Sequence, residues 1–582
     1  MADQPVKQSD VVIDKGTSSW SDLWKREDYW AIWLGFVVLL VGGIIFFNNK
    51  PAGMDEVFAK SNAIMEAEAQ RAPFKTVEWY DALHAKEKIK ATGAPIAKSI
   101  ASFLAHPGGW TGNPLDSLFM NKEAADALNA KSMPKYEAAK AAAGEAKKAA
   151  VAAEGAAAAA GFKDAALNTA ADDAVDNWLK ARSKESSAKK KVGHKAFNHI
   201  PTLIGLMVLL ALFFAVGILF MGKSAGAFLK GFGVVFAVGA FAYLMAGQAT
   251  MKHYGIGDAA WAIAFGMLIA NTIGTPNFVK PALEVEFYIK TGLVLLGAEV
   301  LFNKIIAIGV PGIFVAWVVT PIVLICTFIF GQKVLKIPSK TLNIVISADM
   351  SVCGTSAAIA TAAACRAKKE ELTLSIGLSL VFTSIMMIVM PAVIKAVGMP
   401  YILGGAWMGG TIDATGAVAA AGAFLSEKAL YVAATIKMIQ NVLIGVTAFC
   451  VAVYWCAKVD CVEGQKVSWM EIWHRFPKFV LGFMAASILF SLMYSSLGPD
   501  AGFSVVDHGV LRGFSRLFRG WFFCLSFAAI GLATNFRELK KYFKGGKPLI
   551  LYVCGQSFNL VLTLAMAYVM FYLVFPDITA KI

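Results

Sequence analysis

Charge is scarce in this chain. Asp, Glu, Lys and Arg make up 16% of its 582 residues, where a soluble domain carries about a quarter. Histidine is scarcer still, at seven, and neither His84 nor His106 has a partner at ligand spacing, so both read as surface histidines. The eight cysteines match no zinc spacing and no disulfide frame; six lie in or beside apolar runs and read as small buried thiols. No ATP-binding signature such as a Walker motif occurs, so gradient coupling is expected in place of ATP hydrolysis. No small-residue cleavage site follows the first apolar run, which starts at Trp30, so no cleavable signal is expected.

What is abundant is apolar surface. Hydrophobic residues reach 57% and mean hydropathy is +0.59, which places the chain in a membrane. The net charge of +14 does not imply nucleic acid. The basic residues sit between apolar runs, as at Lys333, Lys336 and Lys340 or at Arg537, Lys540, Lys541, Lys544 and Lys547, as in cytoplasmic loops facing anionic lipid.

The chain divides into residues 1–29, an amphipathic segment; 30–47, a first transmembrane helix entered through Trp20, Trp24, Tyr29, Trp30 and Trp33; 48–199, an extramembrane insertion; and 200–582, the membrane domain. Within the insertion, 133–195 is rich in Ala, Lys and Glu and predicts one or two long polar helices without a strong apolar face, with Gly144, Gly155 and Gly161 as breaks. About thirteen apolar spans are expected in all. If every span crosses, the Lys333 and Arg537 loops share the N-terminal, cytoplasmic side and the insertion is periplasmic, while Arg366, Lys368 and Lys369 fall on the wrong side.

Two apolar stretches are too broken for ordinary membrane helices: SADMSVCGTS at 347–356 and GGAWMGGTIDATG at 404–416. Each sets one acid, Asp349 or Asp413, among glycines and hydroxyls. Freed backbone survives at membrane depth only inside protein or along a cavity, and an acid there marks an ion or substrate path. Paired broken segments point to a transporter site. The candidate anion donors are Ser351, Gly354, Thr355 and Ser356 in the first stretch, and Gly409, Gly410, Thr411 and Thr415 in the second. Lys437, in mid-span, is the candidate cation, to neutralise Asp413 or attract the anion; Asn271 and Asn441 are candidate lining. Asp349 and Asp413 are the candidate ion-coupling residues, for Na⁺ or H⁺. Ala357, Ala360 and Ala363 read as helix packing, and Glu299 and Lys290 as snorkelling ends.

The order and spacing of NTI at 271–273, GQKV at 331–334, SVCGTSAAIAT at 351–361, GTI at 410–412, VAAAG at 418–422, KM at 437–438 and GLAT at 531–534 resemble the YeiH-type family of proposed sulfate exporters over residues 200–575. The resemblance implies an all-α polytopic carrier of the bacterial inner membrane, related to bile-acid symporters and sodium/proton antiporters. It further implies inverted repeats, two broken crossing helices, a separate scaffold and a homodimer. The chain departs from the pattern at Asp413-Ala414, where better-known members have His-Glu, at Asp349, where a small residue is common, and in its insertion. Internal symmetry is faint, limited to matching offsets between 297–305 and 531–539.

The expected function is a secondary transporter of small anions, sulfate or a related sulfur oxyanion or sulfonate, by alternating access. No catalytic residue, metal or cofactor beyond the coupling ion is expected, and the partners are the anion and membrane lipid. A cation/proton antiporter centred on the two aspartates is the alternative within transport. A membrane sensor reading through the insertion is the alternative outside it.

Overall fold

In a computed structural model, residues 11–12, 19–300, 302–459, 468–539 and 546–580 are described; Cys461, Lys540, Lys541 and Lys544 lie outside them. These residues are almost entirely helical. Eight helical stretches are long and apolar enough to cross a membrane, fewer than the thirteen expected. The remaining apolar runs form helices too short to span, at Asp258–Thr272 and Val285–Glu299, or are the two broken stretches. One stretch, Phe479–Ala533, has 55 residues and interrupts its helical backbone at Gly498 (φ 75°). At 1.5 Å per residue it would measure about 80 Å, more than twice a bilayer core, so it has the length of two crossings.

The chain forms two compact units. The first comprises residues 1–39, 207–491 and 518–582; the second comprises 40–206 and 492–517. The spanning helices carry the sign of lipid contact. On α1 (Glu27–Asn48) and α2 (Ile200–Phe220), the residues left exposed are apolar apart from Asn48 at the end of α1, among them Leu40, Ile44, Ile204, Val208, Leu212 and Leu219.

In the second unit the Ala-rich insertion folds as two helices, Lys122–Ala159 and Ala165–Lys189. Only Gly161, at φ 59°, lies at the turn between them. Gly144 and Gly155 stay inside the first helix, because one glycine costs only about 1 kcal/mol in a run of good helix formers. The helices are less uniformly polar than expected: Val77, Ala150, Val175 and Trp178 form a small core. Beside it Arg71 Nη2 joins Glu68 (2.6 Å) and Glu154 (2.7 Å), and the Thr76 hydroxyl donates to Glu68 (2.6 Å). A short antiparallel pair of strands, Phe119–Met120 with Phe197–Asn198, closes the base of the insertion. With an isolated antiparallel bridge between Val11 and Lys368, it is the departure from an all-α chain among the described residues.

The cysteines also depart from expectation. Cys326, Cys450 and Cys554 are exposed, on the surface where apolar side chains would meet lipid, and Cys456 is disulfide-bonded.

The insertion's ion cluster sets its acid stability. Burial opposes charge on Glu68, but the hydrogen bonds from Arg71 and Thr76 outweigh it and hold the carboxyl below its ordinary value. A lowered folded pKa gives stability that is present above the ordinary Glu range and is lost as pH falls through the folded value. Proteolysis of the insertion within the full chain should therefore accelerate below about pH 4, and Glu68→Gln should flatten that pH profile while raising the rate at neutral pH.

Candidate functional site

The site lies in the first unit and is built by segments α3 (Lys340–Ala348), α4 (Thr355–Cys365), α5 (Lys369–Ala396), α6 (Tyr401–Thr411), α7 (Thr415–Leu425), α8 (Glu427–Asn441) and α9 (Lys547–Tyr568). The first broken stretch does not cross; it doubles back. Ser339 and Thr341, at the start of α3, donate their hydroxyls to Glu371, which also accepts the amide of Lys368 just beyond α4. The second doubles back as well. Gly405 and Gly409 lie against Ala429 and Ala433 in turn, so α6 and α8 run parallel. Helix α7 reverses into α8 at Ser426, and Leu425 returns to pack on Gly404. Hydropathy is blind to chain direction, which is why crossing segments were expected from sequence. Helix α5 joins the base of one hairpin to the base of the other, so the hairpins open toward opposite faces.

The tips meet. Cys353 Sγ is 3.8 Å from Thr415 Oγ1, and a Cβ on Gly354 would sit 3.1 Å from Ser379 Oγ and 3.4 Å from the Asp413 Cβ. Gly354 has φ 54° and ψ −128°, a conformation that only glycine adopts without strain.

Each tip frees backbone carbonyls far from water, and side chains of α8 and α9 meet them. Asn559 donates to Met350 O (3.4 Å), Gln440 to Ser351 O (3.1 Å) and Gly410 O (3.2 Å), Lys437 to Val352 O (2.8 Å), and Gln556 to Thr411 O (2.9 Å). Lys437 also donates to Gln440 Oε1 (2.7 Å). The ammonium is thus bound to a carbonyl end and to Gln440, with no ion pair to Asp413 among the described contacts. It sits where the carbonyl end of a half-helix concentrates partial negative charge.

The amide ends point elsewhere. Helices α4 and α7 begin without a side-chain cap, and Thr355, Ser356, Thr415, Gly416 and Ala417 line one cavity of about 580 Å³. Thr383, Ser384 and Asn441 line it too. Asn441 donates to Thr415 Oγ1 (3.1 Å), while its Oδ1, fully buried, has no partner. Arg26, Glu27, Asp28, Glu286, Lys290, Arg475 and Lys478 complete the wall. Of the candidate site residues read from the sequence, Thr355, Ser356, Thr415 and Asn441 line the cavity, and Lys290, expected only to snorkel, lines it too. Ser351, Gly354, Gly410, Thr411 and Lys437 lie behind it, in the packed tips. Asn271 ties helix ends together, donating to Met267 O and Thr534 O and accepting from Phe536 N.

Asp349 and Asp413 are both buried. Asp349 Oδ2 accepts from Ser375 Oγ (2.6 Å); Asp413 Oδ2 accepts from Tyr552 OH and, at 3.5 Å, from Thr383 Oγ1. Oδ1 of each has no partner. Ser375, Ser379 and Thr383 recur every fourth residue and form a hydroxyl ladder on one face of α5 past both tips. That ladder was readable in the sequence. Tyr552, Gln440, Gln556 and Asn559 carried no local signal, because their role depends on which carbonyls the fold leaves open.

Gln440 holds the tips together. Gln440→Leu, similar in volume, would orphan two buried carbonyls and one face of Lys437. At ~1–3 kcal/mol per unsatisfied buried group, it should destabilise the purified protein by at least about 3 kcal/mol. Thr320→Val, which removes only the Gln440 to Thr320 bond (3.1 Å), should cost far less in the same melting experiment.

The model of a family described as conserved hypothetical protein 698 matches residues 230–552, which include both hairpins and none of the insertion. A UPF0324 membrane protein of Nitratidesulfovibrio vulgaris is 68% identical over 575 residues, covering 99% of each chain. A UPF0324 membrane protein of Rhodopirellula baltica is 47% identical, covering 97% of this chain and 93% of its own. One of Nitrosomonas europaea is 31% identical over 55% of this chain and 71% of its own. No solved structure matches the chain.

Proposed function

We propose that this chain, which belongs to the UPF0324 membrane protein family described as conserved hypothetical protein 698, is a secondary transporter of small anions. The observation that carries this reading is the pair of uncapped helix N-termini, α4 and α7, opening with their hydroxyls on one cavity. An oxyanion needs many N–H and O–H donors more than full charges. Two helix starts supply them with a favourable dipole, the arrangement that broken-helix carriers use for anionic groups. Sulfate and sulfonates are the expected heads.

Asp349 and Asp413 are the coupling residues in this reading. Each has an oxygen left for a proton or Na⁺, and both stand behind the anion cradle on the same hairpin tips. That spare capacity also supports the rival reading, a cation/proton antiporter, in which the cavity would carry no anion.

The hairpins support an orientation in a bacterial inner membrane. Because each re-enters, Ser339, Lys368 and Glu371 share one face. Val12 joins them by donating to Ala367 O (2.9 Å), and Lys547 by donating to Lys336 O (3.2 Å). Arg366, Lys368 and Lys369 then fall with the other basic loops on the N-terminal side, which the positive-inside rule makes cytoplasmic. Helix α1 would deliver the insertion to the periplasm.

Purified protein in liposomes should perform counterflow of labelled sulfate or a sulfonate. Asp413→Asn should keep counterflow and fold but lose uptake driven by a proton or sodium gradient. Gradient-driven uptake at the wild-type rate would remove Asp413 from coupling, and cation flux without any anion flux would favour the antiporter. Deleting residues 133–191, which contribute nothing to the cavity, should leave counterflow within about twofold; its loss in a folded deletion protein would tie the insertion to transport.

A further inference from the structure

The cavity offers more than anion donors, and it is large for an inorganic oxyanion. Apolar side chains, including Leu380, Met387, Ile444 and Ile530, make up much of its wall. Two of its polar groups are acceptors with room for a further donor. One is Asn441 Oδ1, which is buried and unpartnered beside Thr415 at the start of α7. Sulfate, which at neutral pH brings only acceptors, leaves this atom unsatisfied.

The other is Glu286. Lys290 is held at 2.8 Å by Glu27 and at 3.0 Å by Asp28, and it stands 3.9 Å from Glu286. Of the three carboxylates around this ammonium, Glu286 is the most loosely held, while Asp28 also accepts from Lys478 N (2.7 Å) and Arg26, Arg475 and Lys478 stand on the same wall. The Glu286 side chain is 43% exposed and lines the cavity. It is also close to the anion cradle. Its neighbour Val285 packs on Gly416 in the first turn of α7, 3.6 Å from where a Cβ would sit.

We propose that the cavity binds a small zwitterion, whose oxyanion head sits on the N-termini of α4 and α7 and whose ammonium group is met by Glu286 and Asn441 Oδ1. The inference rests on the anion-carrier reading and narrows its substrate class. The apolar walls enclose the short carbon link between the two charges, and the carboxylate rejects a bare anion of the same shape by repulsion.

The test uses two isosteric probes that differ only in an ammonium for a methyl, 2-aminoethanesulfonate and propane-1-sulfonate, with sulfate as the third. Titration calorimetry on the purified full-length protein should find 2-aminoethanesulfonate bound at least about tenfold more tightly than either other probe, the ordinary worth of a hydrogen bond to a charged group. In Glu286→Gln the ratio between the isosteres should fall toward one. The wild-type comparison stands even where that variant fails to fold. Equal or tighter binding of propane-1-sulfonate or sulfate would overturn the zwitterion while leaving the anion carrier in place, with the Asn441 amide presenting its NH₂ to the cavity. Binding of none of the three at millimolar concentration would overturn both.

Discussion

A carbonyl released from a helix inside a membrane must find a donor, because no water is there to supply one. The two hairpin tips release five, at Met350, Ser351, Val352, Gly410 and Thr411, and four side chains satisfy them. Much of the site follows from this requirement. Lys437, Gln440, Gln556 and Asn559 face the carbonyl ends, so the amide ends of α4 and α7 are left to face the cavity. The division of labour is electrostatic as well as geometric: a fixed cation sits at the negative end of the first half-helix, and the positive ends of α4 and α7 remain open to the cavity.

Composition was enough to place the chain in a membrane, and the two broken stretches were visible because glycine, hydroxyl and acid rarely interrupt an apolar run. Thr355, Ser356 and Thr415, which line the cavity, stand out for the same reason. Other features were hidden for physical causes. Whether a broken segment crosses or returns depends on where its ends are tied, here at Glu371 and Ser426, and hydropathy carries no such information. Lys437 looked like a partner for Asp413 because both are buried charges, yet a carbonyl end competes for an ammonium as effectively as a carboxylate does when geometry favours it. The amide residues of α8 and α9 look like ordinary polar residues until the carbonyls they meet are known.

The same change of direction removes a conflict in the charge pattern. Arg366, Lys368 and Lys369 fall on the wrong side only if residues 340–365 cross. Once the segment returns, they fall with the other basic loops. In the insertion, glycine alone does not mark a break: inside a long Ala-rich helix Gly144 and Gly155 are tolerated, and only Gly161, with its left-handed backbone, lies at a turn.

Gln440 donates to one carbonyl of each tip, and this has a kinematic consequence. A side chain that spans two loops restrains their freedom to part: sliding one hairpin past the other would break at least one of the two bonds. A motion of the site that keeps both bonds carries the two tips as a single piece. Any slip that spares those bonds lies outside the pair, along helices that touch the hairpins without being bonded to their tips.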